Sequence, residues 1–247
     1  GSTFNGDVTL DSTAGALVFL SDGTLTLGSD GTDQVTLTNG GGANGITIRT
    51  NNAGDTLTVN SAVDGAVDLT LDNADAATFQ GAVGGNTPIG DGTGPSIIFT
   101  FTGATAGTTT FNNTVETADG LIQANDAGLL TFNDNVTINA ATVTSVFNAA
   151  VTLDSMTFTT AGSATFGNEA TDALTIQNGL VTIQTSEPGS TFTFNGDTQL
   201  DSDLTVNSGV SDIDFTSTST TDGTNDLILN SSGTTDIDGA FGGNGAV

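Results

Sequence analysis

Leu25-Thr26-Leu27, Val35-Thr36-Leu37, Ile46-Thr47-Ile48, Leu57-Thr58-Val59 and Leu69-Thr70-Leu71 repeat one pattern, an apolar residue on each side of a threonine. The central threonines fall at 26, 36, 47, 58 and 70. Alternation of this kind buries one face of an extended chain and wets the other, so each triplet predicts a short β-strand. Between the triplets lie runs such as Ser29-Asp30-Gly31-Thr32-Asp33 and Asn39-Gly40-Gly41-Gly42, whose residues favour turns. The pattern resumes at Val136-Thr137-Ile138, Val151-Thr152-Leu153, Leu174-Thr175-Ile176, Val181-Thr182-Ile183 and Leu204-Thr205-Val206. No window carries a helical period, so essentially no α-helix is expected.

A longer unit is laid over the triplets. Phe-Asn-x-x-(Val/Thr) occurs at Phe4, Phe111, Phe132, Phe147 and Phe194, with looser copies at Phe79, Phe166 and Phe241. Its physical reading is a corner. The Phe ends one strand pointing inward, Asn-x-x turns, and Val8, Val115, Val136 or Val151 opens the next strand pointing inward again. Asn suits the corner because it tolerates left-handed backbone and bonds to its own neighbours.

Strands this short and frequent fit a β-solenoid (parallel β-helix) or, as the alternative, tandem β-sandwiches. Sandwich strands run longer, and their cores lean on Trp, Tyr or a disulfide. This chain has no Trp, Tyr or Cys. The solenoid is therefore preferred, as one repeat-built segment over residues 1–247 with about 8 to 12 coils at roughly 4.8 Å each. Pro88, Pro95 and Pro188 fall in loop-like stretches, and residues 84–95 read as an excursion looped out between coils.

Composition removes whole classes of function. The 247 residues hold 28 acids against one base, Arg49, for a net charge of −27. Nucleic-acid binding needs a basic footprint, and attraction to anionic lipid needs the same. No His, Cys or Lys is present, which excludes Ser-His-Asp and Cys-His catalysis, thiolate or imidazole metal sites, and lysine-based isopeptide locks. No stretch approaches the length of a membrane span. Disorder is also disfavoured: hydrophobic residues make up 35%, charged residues only 12%, and mean hydropathy is +0.05.

The run Thr78-Phe79-Gln80-Gly81-Ala82-Val83-Gly84-Gly85-Asn86-Thr87-Pro88, the Phe-Asn-x-x-Val-Thr-Leu units and the Leu-Thr-Val-Asn turns resemble bacterial β-strand-repeat surface proteins. These are exported proteins akin to filamentous-haemagglutinin adhesins and autotransporter passengers. The likeness spans essentially the whole chain and lies in composition and repeat pattern. It implies an extracellular β-solenoid used for adhesion, as a stalk or as a surface fibre, and it carries over no catalytic residue.

Calcium is the one cofactor that the residue inventory favours, because hard cations take carboxylate and carbonyl oxygens. Gly28-Ser29-Asp30-Gly31-Thr32-Asp33-Gln34-Val35-Thr36 imitates a calcium-binding nonapeptide, with Asp30 and Asp33 as the candidate ligands. No adjacent copy follows, and the competing reading is that both are turn residues. Glu116, Glu169 and Glu187 are isolated singles, and sugar-stacking Trp and Tyr are missing, so glycoside hydrolysis is disfavoured. Arg49 is expected to pair with a corner Asp, on the neighbouring coil if the solenoid holds.

The function expected is that of a structural or adhesive repeat segment of an exported bacterial cell-surface protein, part of a longer fibre or stalk. The alternative is a filament or sheath subunit that stacks end to end. No enzymatic activity and no required cofactor are expected. The expected partners are further copies or continuations of the chain at both ends, and a surface glycan or receptor. The chain opens on Gly1 within one repeat unit and stops within another, Gly239-Ala240-Phe241-Gly242-Gly243-Asn244, which predicts an uncapped, mature or excised segment.

Overall fold

A computed structural model describes residues 1–72, 75–100, 107–124, 128–139, 143–185 and 187–242. It is a parallel β-solenoid of about ten turns, with no helix among the described residues. A full turn lays one strand on each of three faces, and the turn through Val83 keeps only a bridge on the second. The first face is an 11-stranded sheet from Ser2–Phe4 to Ala240–Phe241. The third is a 10-stranded sheet from Leu17–Ser21 to Thr235–Ile237. The second face is split. Val8–Asp11, Gln34–Thr38 and Ala62–Asp64 form one part, and the six strands from Val115–Thr117 to Leu227–Ser231 form the other. Val83 joins the two parts by bridging Val63 and Val115.

The triplet spacing follows from this cross-section. Thr26 lies on the first face, Thr36 on the second, Thr47 on the third and Thr58 on the first again, directly beside Thr26. One coil there takes the 32 residues from Leu25 to its partner Leu57, while the next takes only the 20 from Leu57 to Ala77. Corners absorb the difference. The strands stay in register.

Side chains of like shape stack through the interior. On the first face Phe79, Phe111 and Phe132 lie ring on ring at 4.9 and 5.3 Å. On the third face Phe147, Phe166, Phe194 and Phe215 do the same at 5.1, 5.6 and 4.4 Å. All seven are fully buried. Stacked rings contribute about 0.5–1.5 kcal/mol per pair beyond their buried area. The Phe-Asn corner works as expected at Phe111, Phe132 and Phe147, each followed by an inward, buried Val115, Val136 or Val151. Phe194 is buried likewise, with Thr198 in the following position.

Phe4 departs from the expectation: it is 41% exposed, and Val8 is only half-buried against the core. The reason is positional. The Ser2–Phe4 strand pairs only with Leu25–Leu27, so a coil covers one side of the ring and solvent the other, with Phe19 meeting its edge at 5.5 Å. At the opposite end the core-facing Ile237 and Phe241 are exposed as well. Gly243 and Asn244 of the terminal repeat lie outside the described residues.

Residues 84–95 carry no named strand, yet Ile89 is fully buried and bridges Thr117. Pro88, Pro95 and Pro188 all fall outside strands, where a missing N–H breaks no ladder.

Candidate functional site

Asp30 and Asp33 share one exposed corner between the first and second faces. Gly28 opens it at φ +75, and a Cβ there would stand 2.5 Å from Ser61 Oγ, so only glycine fits. Each carboxylate faces local donors. Ser29 donates its N–H and its hydroxyl to Asp33 Oδ2 at 2.6 and 2.7 Å, and Gly6 N–H reaches the same oxygen at 3.2 Å. Thr32 donates its N–H and hydroxyl to Asp30 Oδ1 at 2.8 and 2.6 Å. The Ser29 and Thr32 hydroxyls, then the backbone amides, hold both carboxyls below their ordinary range. Among the described residues, no group of three or more acidic side chains is arranged to hold a metal ion.

Asp64 accepts four hydrogen bonds, and nothing in the sequence marks it out. It ends the Ala62–Asp64 strand at 4% exposure. Asn86 N–H, Thr87 N–H, Asn86 Nδ2 and Gln34 Nε2 donate to it at 2.8, 3.1, 3.0 and 2.8 Å. Burial pushes this carboxyl up, and the four donors together outweigh burial and leave it lowered. The aspartate thereby staples residues 86–87 to the coil below. Gly84 lets the following coil close over this segment: at φ +80, a Cβ would lie 2.0 Å from the Glu116 carbonyl oxygen.

Asp68 is the opposite case. Burial raises its carboxyl to about 6, with Asp91 and Asp119 adding repulsion and the Asp91 N–H, at 3.3 Å, offsetting part of it. Asp91 also lines a shallow surface groove with Asn39, Gly41, Gly42, Ala43, Ala66 and Thr93. Neither an aromatic ring nor a cationic side chain is among these lining residues.

Arg49 pairs across coils, as its isolation suggested. Its NH2 and Nε atoms approach Asp72 Oδ2 at 2.5 and 2.6 Å, and the two residues are register partners. Glu116 accepts from Asn139 at 2.9 Å, while Glu169 and Glu187 are exposed at corners of later coils. The three glutamates are not brought together. Amide ladders also run along the rod. Asn133 donates to Asn112 at 2.7 Å, Asn112 to Gln80 at 3.0 Å, and Asn230 to Asn207 at 2.8 Å.

Comparisons with protein families, with curated proteins and with solved structures find no match to this chain.

Proposed function

We propose that the chain is a structural or adhesive repeat segment of an exported bacterial cell-surface protein, working as part of a longer fibre or stalk. The observation that carries this reading is the regularity of the rod. First-face pairing proceeds in register from Ser2–Phe4 to Ala240–Phe241 although coil length varies, and polar side chains project from it at every level. A solenoid of about ten turns at 4.8 Å is roughly 48 Å long and presents flat, repeated faces to a glycan or receptor. The resemblance to β-strand-repeat surface proteins supports the same reading. Immunogold labelling of the source cells with antibody to the purified chain tests it: gold along structures outside the envelope is expected, and label confined to the cytoplasm would overturn it.

A second reading is a filament subunit that stacks end to end. It rests on core-facing apolar side chains left exposed at the two end coils, Phe4 at one and Ile237 and Phe241 at the other. Negative-stain microscopy of the purified chain separates the two: dispersed short rods favour the first, and long unbranched filaments favour the second.

A further inference from the structure

The outward side of the first face carries an unbroken row of threonines. Thr3, Thr26, Thr58, Thr78, Thr110, Thr131, Thr152 and Thr175 are successive register partners on eight neighbouring strands. The row survives coils of 20 and 32 residues, so the alignment is kept while the corners vary. Beta propensity alone would admit Val or Ile at these positions. The third face shows this, its equivalent row reading Val18, Thr47, Thr70, Ile98, Ile122, Val146, Thr165 and Thr193.

Two further observations distinguish the first face. Among the described residues none of the eight hydroxyls bonds to another protein group, which leaves each a free donor and acceptor. The face is also uncharged over its first six strands in a chain of net charge −27; Asp154 and Asp222 enter only on the later strands Val151–Asp154 and Thr220–Gly223. Its strands Ser2–Phe4, Leu25–Leu27, Thr56–Val59, Ala76–Phe79, Thr108–Phe111 and Leu129–Phe132 contain no acid at all. A second, less complete row of Thr24, Thr56 and Thr108 flanks the first. Seven threonines of the main row are exposed or half-buried, and Thr152 is nearly covered at 8%.

We propose that the acid-free part of this face, from Ser2–Phe4 to Leu129–Phe132, binds ice. Successive hydroxyls stand about 4.8 Å apart, the spacing of neighbouring strands. That repeat is close to the spacing of equivalent oxygens in the ice lattice. The hydroxyls hold water at regular positions, while the methyl groups between them exclude water that would disrupt the pattern. Ice is neutral and rigid, so its complement is a flat surface free of carboxylates, whose strong hydration would oppose a lattice. A charged ligand would need a partner charge that these six strands lack, and their outward row of threonines offers a sugar no aromatic platform. The proposal goes beyond the surface-fibre reading and does not depend on where the chain is displayed.

The test freezes a dilute solution of the purified chain slowly onto a cold finger and measures the protein in the ice and in the remaining liquid, with serum albumin as an excluded control. The chain is expected to enter the ice, and the pair Thr110→Tyr and Thr131→Tyr to be excluded as albumin is. The pair Thr165→Tyr and Thr193→Tyr, on the third face, is expected to enter like the parent. Circular dichroism checks that each variant folds, and Thr110→Ser with Thr131→Ser replaces the tyrosine pair if it does not. Exclusion of the parent chain, equal uptake of the first-face variant, or equal loss in the third-face variant would each overturn the proposal.

Discussion

Phe132 and Phe147 meet edge to face, ring centroids 6.5 Å apart and planes at 80°. Phe132 closes the stack on the first face, and Phe147 opens the stack on the third. The aromatic column thus crosses the core within one coil, and the coils beyond fill the vacated first-face positions with Leu153, Ile176 and Leu200. A cross-section of three short strands has limited room, and interiors fill to crystal-like density without large voids.

Truncating a ring at this crossing should be costly. Phe132→Ala is expected to lower stability by about 3–5 kcal/mol, the range for deleting a fully buried aromatic ring. Phe4→Ala should cost much less, since Phe4 is 41% exposed. Urea denaturation of the two variants checks the contrast, and equal losses would contradict the burial pattern.

The glycines at positive φ divide by what surrounds them. Gly54 has φ +87 and open space around its missing Cβ, so Gly54→Ala should cost only the left-handed strain of roughly 1–2 kcal/mol. Gly84→Ala adds a collision with the Glu116 carbonyl oxygen at 2.0 Å, and the cost should clearly exceed that of Gly54→Ala. Thermal melting of both variants decides it.

Asp68 gives stability a pH dependence of known sign. Its folded pKa, about 6, lies above the ordinary aspartate value of 3.8, so the folded state takes up the proton first. Its contribution is fully present below the unfolded pKa and is lost as pH rises through about 6. Asp214, raised by burial and by Asp236 and Asp238, acts in the same direction. Asp64 is lowered, so its contribution is lost as pH falls below the ordinary carboxylate range. The melting temperature should therefore climb from pH 7 toward pH 4 and fall in stronger acid. Asp68→Asn should flatten the climb, and an unchanged slope in that variant would remove Asp68 as its source.

Net charge of −27 with a single cationic side chain implies self-repulsion that salt relieves. Sodium chloride should raise the melting temperature. Calcium should raise it further at equal ionic strength, and a chelator should reverse only the calcium increment. A melting point indifferent to salt, calcium and chelator alike would contradict both the repulsion and the calcium expectation.

The strands were legible in the sequence because alternation is a local property. Val-Thr-Leu triplets and Phe-Asn corners report which side chain points inward, and for Phe111, Phe132, Phe147 and Phe194 they report it correctly. They do not report which face. The same motif ends first-face strands at Phe111 and Phe132 and third-face strands at Phe147 and Phe194. Exposure at Phe4 escaped the local reading because it depends on a neighbouring coil rather than on the motif. Asp64 and Asp68 escaped it for a related reason. Their partners Asn86 and Asp91 lie 22 and 23 residues on, in a chain whose coils range from 19 to 32 residues, so spacing alone cannot align them. Asp30 and Asp33 stand out in the sequence because Gly28–Asp33 is a local motif, and the bonds they accept are turn bonds from Ser29 and Thr32 together with the one from Gly6.

The central claim is the in-register parallel stacking of successive coils, and a disulfide trap tests it in a chain that contains no cysteine. Asn112 and Asn133 sit on adjacent coils with their side chains hydrogen-bonded at 2.7 Å. The variant Asn112→Cys with Asn133→Cys should cross-link readily under mild oxidation, because side chains already in contact meet the geometric demand of the bond. The variant Asn112→Cys with Asn178→Cys, whose positions lie several coils apart, should remain reduced. Failure of the first pair to close, or equal closure of both, would contradict the solenoid register on which the account depends.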